Sequence, residues 1–269
     1  MKIKIAVVGC GRISEKHFNS IKVNKENIEL VSICDTNEKV LIEHKNKYKV
    51  NAYCDLEQML KEENLDLVSI CPPSGIHANQ TELCAQYGVN VMTEKPMATR
   101  WKDGIRMVRA CDKANVRLFV VKQNRQNDTL QLLKRAVSER RFGKINMVNI
   151  NVFWTRPQEY YDQACWRGTW EYDGGAFMNQ ASHYVDLVQW LIGPVESVIS
   201  ETATMARTIE TEDSGAAILK FRNGVIGMIN VSMLTFPKNF EGSVTVLGEK
   251  GTVKLGGVAE ITQAIDELS

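Results

Sequence analysis

The sequence contains few of the residues that build metal sites or disulfide frameworks. It has only four histidines, and none is spaced with a carboxylate or a thiol in the way that a metal cluster requires. The seven cysteines are odd in number and form no C-x-x-C pair, and several, such as Cys34 and Cys71, lie in apolar segments. We therefore expect no metal ion, and we predict that the cysteines are reduced, buried and small hydrophobic residues.

Long apolar runs and a strong charge of one sign are also missing. No run approaches the roughly 20 residues of a membrane span, and a net charge of +1 gives no footprint for nucleic acid or an anionic membrane. The chain passes directly into a predicted strand, so we expect no signal peptide and a cytoplasmic location. A length of 269 residues, with 44% hydrophobic and 24% charged content, fits a globular protein of two domains.

The N-terminal stretch carries the most informative pattern. Ile3–Val8 is a short β-branched run that predicts a strand buried on both faces. Gly9 and Gly11 follow in the pattern G-x-G-x-x-S, where Ser14 replaces the usual third glycine, and a helical pattern comes next. Such a turn lets a pyrophosphate approach backbone N–H groups at the N-terminus of a helix.

A carboxylate stands where a dinucleotide-binding fold requires one. The second predicted strand, Ile28–Cys34, ends in Asp35, which lies 21 residues after Ser14. In a Rossmann fold this position accepts hydrogen bonds from the adenosine ribose, and its charge disfavours the additional phosphate of NADP. No arginine follows at Thr36 or Asn37 to offset that repulsion, so we predict NAD as the cofactor. The alternative is an ordinary strand–turn–helix with a surface aspartate.

Two kinds of pattern divide the chain near residue 122. Before it, apolar strands alternate with helical segments, and two of the strands end in Cys71-Pro72-Pro73 and Glu94-Lys95-Pro96. This alternation predicts an α/β Rossmann domain over 1–122, with ligands beyond the carboxyl ends of a parallel sheet. After it, alternating runs and one helix over about Met178–Ile192 predict a second α+β domain over 123–269, built on an open, mainly antiparallel sheet. Both faces of its strand Val225–Leu234 are apolar, which indicates burial against another subunit.

Lys95 follows a strand that ends on the same edge of the sheet as the glycine turn. A lysine there points into the crevice where a nicotinamide would lie, and Pro96 biases its backbone towards an extended conformation. The alternative is a lysine in a solvated loop, which is the commoner position for this residue.

The segment from Asp173 to Asp186 contains a candidate general base. On a helix, Asn179 and His183 are four residues apart and face the same way, and Asp186 could orient the histidine ring. Asparagine cannot take a proton, whereas a histidine pKa of about 6.5 suits a general base. We therefore predict His183 as the base; the alternative is a histidine satisfied in the core.

The loop over Trp154–Trp170 is rich in aromatic and arginine side chains. Aromatic rings stack on a sugar or a base, and arginine forks match phosphate or carboxylate. This composition favours a loop that forms one wall of a ligand-binding site. The alternative is a packed loop with surface arginines. The candidates for substrate binding are Arg156, Tyr160, Trp166 and Arg167.

The order of these motifs resembles that of the glucose–fructose oxidoreductase / inositol dehydrogenase (GFO/IDH/MocA) family. The resemblance covers nearly the whole chain and is specific, because the E-K-P tripeptide and the later G-G-x-x-x-N-x-x-x-H segment occur together. It implies an NAD(P) domain joined to an α+β domain, a dimer or tetramer formed through the open sheet, and a role for Lys95 beside the nicotinamide and the hydroxyl that is oxidised. The family usually has aspartate where Asn179 stands.

Three segments, W-R-G-T-W, D-G-G-A-F-M-N-Q-A-S-H and K-Q-N-R, resemble one subgroup of that family. Its members oxidise C3 of UDP-N-acetylglucosaminuronate with NAD for surface-polysaccharide synthesis, and some recycle the NADH with 2-oxoglutarate. The resemblance therefore implies the same substrate and, as a further partner, 2-oxoglutarate. The implied catalytic residues are Lys95 and His183; the cofactor-binding residues are Gly9, Gly11, Arg12, Ile13, Asp35, Pro72, Pro73, His77, Glu94 and Lys95; the substrate-binding residues are Lys95, Arg156, Tyr160, Trp166, Arg167, Asn179 and His183.

One departure and two alternatives accompany this interpretation. Family members continue for several dozen residues beyond the equivalent of Gly257, whereas 12 residues that predict a short helix follow it here. We therefore expect a truncated second domain whose exposed edge strand favours self-association. The alternative functions are a related dehydrogenase of a free sugar or inositol, and a nucleotide-binding module without turnover.

Overall fold

The structure is a computed structural model that describes residues 2–257. It separates the chain into two compact units, Met1–Val121 and Lys122–Ser269. The short helix predicted after Gly257 lies outside the described residues. Within the described part of the chain, no helix is both long enough and apolar enough to cross a membrane.

The first unit is built on a six-stranded sheet with the strand order β3-β2-β1-β4-β5-β6, in which every pairing is parallel. The order reverses between β1 and β4, and this is where an open α/β sheet binds its ligand. The predicted Rossmann fold is therefore confirmed. The strands are β1 (Ile3–Val8), β2 (Ile28–Cys34), β3 (Asn51–Tyr53), β4 (Leu67–Ile70), β5 (Asn90–Thr93) and β6 (Leu118–Val120).

Helices connect these strands, and polar caps fix where several of them begin. Asn37 accepts hydrogen bonds from the N–H groups of Lys39 and Val40 at 3.1 and 3.3 Å, so the second helix begins directly after it. The helices are α1 (Ser14–Val23), α2 (Glu38–Tyr48), α3 (Leu56–Glu62), α4 (His77–Gln86) and α5 (Trp101–Ala114), and a short 3₁₀ turn, Ser74–Ile76, precedes α4.

Apolar side chains cover both faces of the first sheet. Because side chains alternate along a strand, β1 sends Ile5 and Val7 into one cluster and Ala6 and Val8 into the other. All four are almost fully buried, as the β-branched run predicted. The strand that leads into the glycine turn is therefore held rigidly from both sides.

The second unit contains a six-stranded sheet with the order β12-β11-β7-β10-β9-β8. Four of its pairings are antiparallel, but β7 and β10 are parallel, so the sheet is mixed and mostly antiparallel. Alternation along a strand is the same in both arrangements, and the sequence alone therefore does not reveal the parallel pair. The strands are β7 (Ile145–Phe153), β8 (Val195–Ala203), β9 (Ser214–Phe221), β10 (Ile226–Ser232), β11 (Glu241–Gly248) and β12 (Gly251–Gly257).

The helix predicted over Met178–Ile192 is wrong in its first part. A π-helix occupies Ala176–Gln180, closed by a bond of 2.8 Å from the Ala181 N–H to the Ala176 carbonyl, and the α-helix begins only at Ser182. The π-helix is a feature that occurs frequently at functional sites. The α-helices of this unit are α6 (Asp128–Ser138), α7 (Gln158–Asp162) and α8 (Ser182–Ile192), and a 3₁₀ helix covers Gln123–Gln126.

The two faces of the second sheet differ in polarity. On the inner face, β-branched residues of the central strands pack with Leu187, Val188 and Leu191 of α8 in one cluster. On the outer face, Ile226 is 48% exposed, whereas Asn230 donates to Asn151 at 3.0 Å at the centre of the sheet. The outer face is thus less uniformly apolar than the sequence predicted.

The prediction that the cysteines are buried holds for five of the seven. All seven are free thiols, but Cys54 and Cys165 are exposed. Cys54 immediately precedes Asp55, the N-cap of α3, and Cys165 follows α7 in a loop. Both lie outside the apolar strand segments on which the prediction was based.

Candidate functional site

The glycine turn of the first unit is packed on one side and open on the other. Gly9 has φ +80°, and a Cβ there would lie 2.6 Å from the backbone nitrogen of Pro72. A Cβ at Gly11 would meet no atom within 4 Å, so the backbone is open to a ligand at this point. The Ser14 hydroxyl closes the turn by donating to the Gly11 carbonyl at 2.6 Å. Serine therefore fills the third fingerprint position with a hydrogen bond that glycine would lack.

Two predicted cofactor residues, Arg12 and Ile13, lie within this turn. Arg12 is exposed, whereas Ile13 is half-buried and packs against the apolar cluster under α1. The turn leads directly into α1, whose first N–H groups have the orientation that favours an anion. These positions stay a prediction for the pyrophosphate.

Asp35 joins the glycine turn to the end of β2. Its Oδ2 accepts from the Cys10 N–H at 2.7 Å, and its Oδ1 accepts from the Asn37 N–H at 2.8 Å. Each carboxylate oxygen can accept a second hydrogen bond. The half-buried carboxylate is therefore fixed by the backbone and keeps acceptor capacity for a ribose hydroxyl.

His77 is buried under the two proline loops and has no exposed surface. Its Nδ1 lies 3.0 Å from the carbonyl oxygen of Pro96 and its Nε2 lies 2.9 Å from that of Pro72. Burial lowers the pKa of His77, although the surrounding carbonyl groups oppose this. The cofactor-binding role of His77 stays a prediction, and its burial favours an indirect one. Its contribution is to join the Pro72-Pro73 loop to the loop after β5, while Pro72 and Pro73 themselves are half-buried.

Glu94 and Lys95 follow β5 on the carboxyl edge of the sheet. Glu94 is buried; its Oε1 lies 2.8 Å from Nε2 of His17, and its Oε2 accepts from the Lys95 N–H at 3.2 Å. Burial would raise the pKa of Glu94, but the bond to His17 holds it below its usual value. Lys95 is half-buried. The structure thus brings Gly9, Asp35, Pro72 and Lys95 to the ends of four neighbouring parallel strands.

In the second unit, the buried carboxylates of Asp173 and Glu212 form hydrogen bonds with the π-helix. Gly175 has φ +93°, and a Cβ there would lie 2.1 Å from the Oε2 of Glu212. The Oε1 of Glu212 accepts from the Phe177 N–H at 2.9 Å, and burial raises the pKa of this carboxyl. Asn179 donates a hydrogen bond to the Oδ1 of Asp173. The side-chain amide of Asn179 is therefore oriented before any ligand binds.

His183 lies in the first turn of α8, and its partner differs from the predicted one. Asp186 does not orient the ring; instead, it accepts two bonds of 2.7 Å from the Nε and Nη2 of Arg125. The Nε2 of His183 lies 3.2 Å from the side-chain nitrogen of Gln123. Asp186 is three residues along the helix, but Arg125 competes for it with a bidentate, charge-assisted pair.

Lys122 completes this group, since its Nζ donates to the Ser182 carbonyl at 3.4 Å and burial lowers its pKa. Three of the four side chains of the K-Q-N-R segment, Lys122–Arg125, therefore form hydrogen bonds with residues of α8. In the sequence, this segment served only to identify the family subgroup.

Aromatic and arginine side chains form a wall in the second unit. The guanidinium carbons of Arg156 and Arg167 lie 5.3 and 4.3 Å from the ring centroid of Tyr160, and that of Arg167 lies 4.7 Å from the Trp166 ring. The buried Gln180 accepts from the Arg156 Nε at 2.9 Å and donates to the Tyr160 hydroxyl at 3.0 Å. The structure thus brings together the predicted residues of this loop.

This wall has unused capacity to bind an anion. Among the described residues, no hydrogen-bond partner faces the buried Nε of Arg167. A cavity of about 360 Å³ adjoins the same loop, and Arg167, Tyr161, Cys165 and Ile209 are among its lining residues. A guanidinium donor in such a place suits a phosphate or a carboxylate.

Several residues that organise both sites were missed by sequence reasoning. His17 lies on the apolar face of the first predicted helix. Gln180 lies between Asn179 and His183, the two residues that the helical spacing selected. Glu212 and Gln123 are far in sequence from the groups that they contact. Of these, Gln123 and Gln180 stand in segments that the sequence analysis singled out.

Comparisons with known proteins match both units. The family model described as an oxidoreductase family with an NAD-binding Rossmann fold matches residues 3–122, and the GFO/IDH/MocA C-terminal domain matches residues 130–254. Among curated proteins, myo-inositol 2-dehydrogenase from Thermotoga maritima is 27% identical, over 98% of this chain and 78% of its own length.

Two solved structures are much more similar in sequence. The WlbA dehydrogenase from Bordetella pertussis, in complex with NADH and UDP-GlcNAcA, is 59% identical with a TM-score of 0.94, over 96% of this chain and 77% of that one. The WlbA dehydrogenase from Chromobacterium violaceum, in complex with the same two molecules, is 58% identical with a TM-score of 0.95, over 97% of this chain and 76% of that one.

Proposed function

Because the chain belongs to the GFO/IDH/MocA oxidoreductase family, we propose that it oxidises the C3 hydroxyl of UDP-N-acetylglucosaminuronic acid to a ketone, with NAD as the hydride acceptor. The observation that carries this proposal is the identity of 59% to a WlbA dehydrogenase that was crystallised with NADH and UDP-GlcNAcA. The identity extends over 96% of this chain, and therefore over both candidate sites.

The residues of the first unit fit NAD. The open backbone at Gly11 and the N-terminus of α1 suit the pyrophosphate, and the fixed carboxylate of Asp35 suits a ribose with two free hydroxyls. An additional ribose phosphate would be repelled by that carboxylate, which supports NAD over NADP. Bound by these residues, NAD would supply the hydride acceptor for the oxidation at C3.

Two side chains, His183 and Lys95, are assigned to the chemical step. We assign His183 as the general base that accepts the proton of the C3 hydroxyl, because Asn179 at the neighbouring position has no proton-accepting form at ordinary pH. Lys95 donates a hydrogen bond to the same oxygen and stabilises the negative charge that develops there. Asn179, held by Asp173, contributes a hydrogen bond to the sugar.

The wall of the second unit supports an anionic substrate. A UDP-linked uronic acid carries a diphosphate and a carboxylate, and Arg156 and Arg167 are placed on aromatic rings with guanidinium donors that match such groups. We assign Tyr160 and Trp166 to the same wall as apolar surfaces. A free sugar or inositol would offer no anionic group to the buried Nε of Arg167.

Five finer points belong to the same proposal. We propose that residues 1–122 form the NAD-binding domain and residues 123–269 the domain for substrate binding and assembly, and that the outer face of the second sheet assembles subunits into a dimer or tetramer. The product would enter surface-polysaccharide synthesis, and 2-oxoglutarate would reoxidise the NADH in place. A cytoplasmic location agrees with seven free cysteines.

The alternative function is oxidation of a free polyol, which is favoured by the 27% identity to an inositol dehydrogenase over nearly the whole chain. NADH formation should be measured with UDP-N-acetylglucosaminuronate, UDP-N-acetylglucosamine and myo-inositol at equal concentrations. We expect kcat/KM to be highest for the uronate by about 10²-fold, since the sugar without a carboxylate leaves a guanidinium unpaired. Higher activity with myo-inositol would replace the proposal, and NAD binding without turnover of any of these would indicate a binding module.

A further inference from the structure

Three polar side chains of the first unit form a buried network beneath the glycine turn. Ser69 lies on β4, His17 on α1 and Glu94 directly after β5, and none of them is more than 8% exposed. The Ser69 hydroxyl lies 2.9 Å from Nδ1 of His17, whose Nε2 lies 2.8 Å from Oε1 of Glu94. Burying such groups is costly unless every bond is made, so the network needs an explanation beyond packing.

The network ends on the backbone of Lys95. The second oxygen of Glu94, Oε2, accepts from the Lys95 N–H at 3.2 Å. At the other end, His17 is carried by α1, which begins at Ser14 directly after the glycine turn. One histidine therefore connects the helix that would receive the pyrophosphate to the residue that would act on the substrate hydroxyl.

The contact with the Glu94 carboxylate favours the protonated form of His17. Burial would lower its pKa, but its hydrogen bonds with Cys71 and Glu94 raise it to about 10. The titratable groups that face it are Cys71, after β4, and Glu94, after β5. An imidazolium donates from both ring nitrogens, so it bonds to Ser69 and to Glu94 at the same time. A charged donor also makes the bond to Glu94 stronger than a neutral one would.

We propose that His17 is a positioning residue for the dehydrogenation: its ring fixes Glu94 through the bond to Oε1, and Glu94 fixes the backbone of Lys95 so that the lysine amine is held at the place of reaction. This inference rests on the proposed function in so far as Lys95 acts on the substrate. His17 touches neither substrate nor cofactor; it acts through Glu94. A displacement of about 1 Å at a catalytic group is enough to cost about 10²-fold in rate.

A purely structural role for the pair predicts a different outcome. A buried ion pair that only stabilises the fold would lower the melting temperature when it is removed, without changing kcat at saturating substrate and cofactor. A positioning pair lowers kcat even in protein that is fully folded and fully loaded. Its effect also disappears once Lys95 is absent, because residues that act as a unit are not additive.

The experiment compares His17→Gln, His17→Leu and a control, His44→Gln, each in the wild type and in Lys95→Ala. Glutamine retains a donor towards Glu94 but no charge, and leucine removes the donor. His44 is the matched control because it is equally buried in the same unit, at 7% exposure, and bonds to the Val40 carbonyl at 2.9 Å on α2. Folding is checked by the melting temperature and NAD affinity by calorimetry.

We expect kcat to fall by about tenfold in His17→Leu and less in His17→Gln, while NAD affinity stays within about twofold and His44→Gln behaves as wild type. In the Lys95→Ala background, neither substitution should lower kcat further. The proposal is overturned if kcat is unchanged in folded His17→Leu, or if the two losses multiply. If His17→Leu does not fold, the same criteria apply to His17→Gln.

A second readout does not depend on turnover and therefore separates this inference from the proposed function. The amine of Lys95 is labelled with limiting acetic anhydride and quantified by peptide mass spectrometry against Lys61, whose side chain is 59% exposed and pairs with Glu57. We expect the relative labelling rate of Lys95 to change by about threefold or more in the His17 variants and not in His44→Gln. Unchanged labelling would contradict the proposal even in a protein that turned over no UDP-sugar.

Discussion

The two units hold their candidate residues in different ways. In the first unit, strand ends and backbone bonds place the residues: Asp35 is fixed by the N–H groups of Cys10 and Asn37. In the second unit, pairs of side chains place them, as when Gln123 approaches His183 from 60 residues away. A site of the first kind is encoded locally, whereas a site of the second kind depends on contacts that form only when the chain has folded.

The largest effects should come from the residue in each unit that we assign to the chemistry. Lys95→Ala and His183→Ala should each lower kcat by about 10²-fold or more, which is the usual contribution of acid–base or electrostatic groups. NAD affinity, measured by calorimetry, should change little in either variant. Turnover near that of the wild type in one variant would show that only the other unit supplies chemistry.

The π-helix of the second unit offers the next largest effect, on stability. Gly175→Ala adds a left-handed strain at φ +93° and a clash with the buried Glu212, so we expect a loss of about 3 kcal/mol or more in the free energy of unfolding. Gly224→Ala is the matched control, because Gly224 has φ +86° but no atom lies within 4 Å of its Cβ position.

We expect Gly224→Ala to cost about 1 kcal/mol, since it has the strain without the clash. Chemical denaturation of the two variants measures the difference. Equal losses in the free energy of unfolding would mean that Glu212 moves aside freely. The claim that Glu212 supports the π-helix tightly would then be wrong.

The buried pair of the first unit should make stability depend on pH. The pKa of His17 is raised from 6.5 to about 10 in the folded protein, so the folded state binds this proton more tightly than the unfolded state. Its stabilising contribution is complete below pH 6.5 and is lost as the pH rises towards 10, by up to about 1.4 kcal/mol per pH unit.

The free energy of unfolding should therefore fall more steeply with pH in the wild type than in His17→Gln over that window. Denaturation of both proteins at several pH values gives the two slopes, and the shared titration of other groups cancels in their difference. Parallel slopes would indicate that His17 is neutral in the folded protein.

The smallest predicted effect concerns the choice of cofactor. Asp35→Ala removes both a ribose acceptor and a repulsive charge, so NAD should bind about tenfold more weakly while the discrimination against NADP relaxes. Calorimetric titration with both cofactors measures the ratio. Tight binding of NADP by the wild type would contradict the role given to Asp35.

The difference between local placement in the first unit and tertiary placement in the second explains how much could be predicted from the sequence. The Rossmann fold followed from the alternation of strands and helices and from the spacing of Gly9, Gly11 and Asp35, all of which are local signals. The E-K-P segment was located correctly because it ends a strand. The burial of His77 was not foreseen, since it depends on two proline loops that come together only in the folded sheet.

The second unit was predicted less accurately for the same physical reason. The spacing of Asn179 and His183 indicated one continuous helix, but the buried Glu212 and the left-handed Gly175 favour a π-helix that ends before Ser182. Asp186 was expected to orient His183, but Arg125 pairs with it instead. Whether Asp186 pairs with His183 or with Arg125 depends on tertiary contacts, and the spacing of residues along one helix does not predict these contacts.

The central claim is that the hydride leaves C3 of the sugar. The most direct test supplies the protein with NAD and UDP-N-acetylglucosaminuronate that carries deuterium at C3, and follows the isotope by NMR and mass spectrometry. Deuterium should appear at C4 of the reduced nicotinamide, with a 3-keto sugar as the other product. NADH that contains no deuterium, or a ketone at another carbon, would contradict the account.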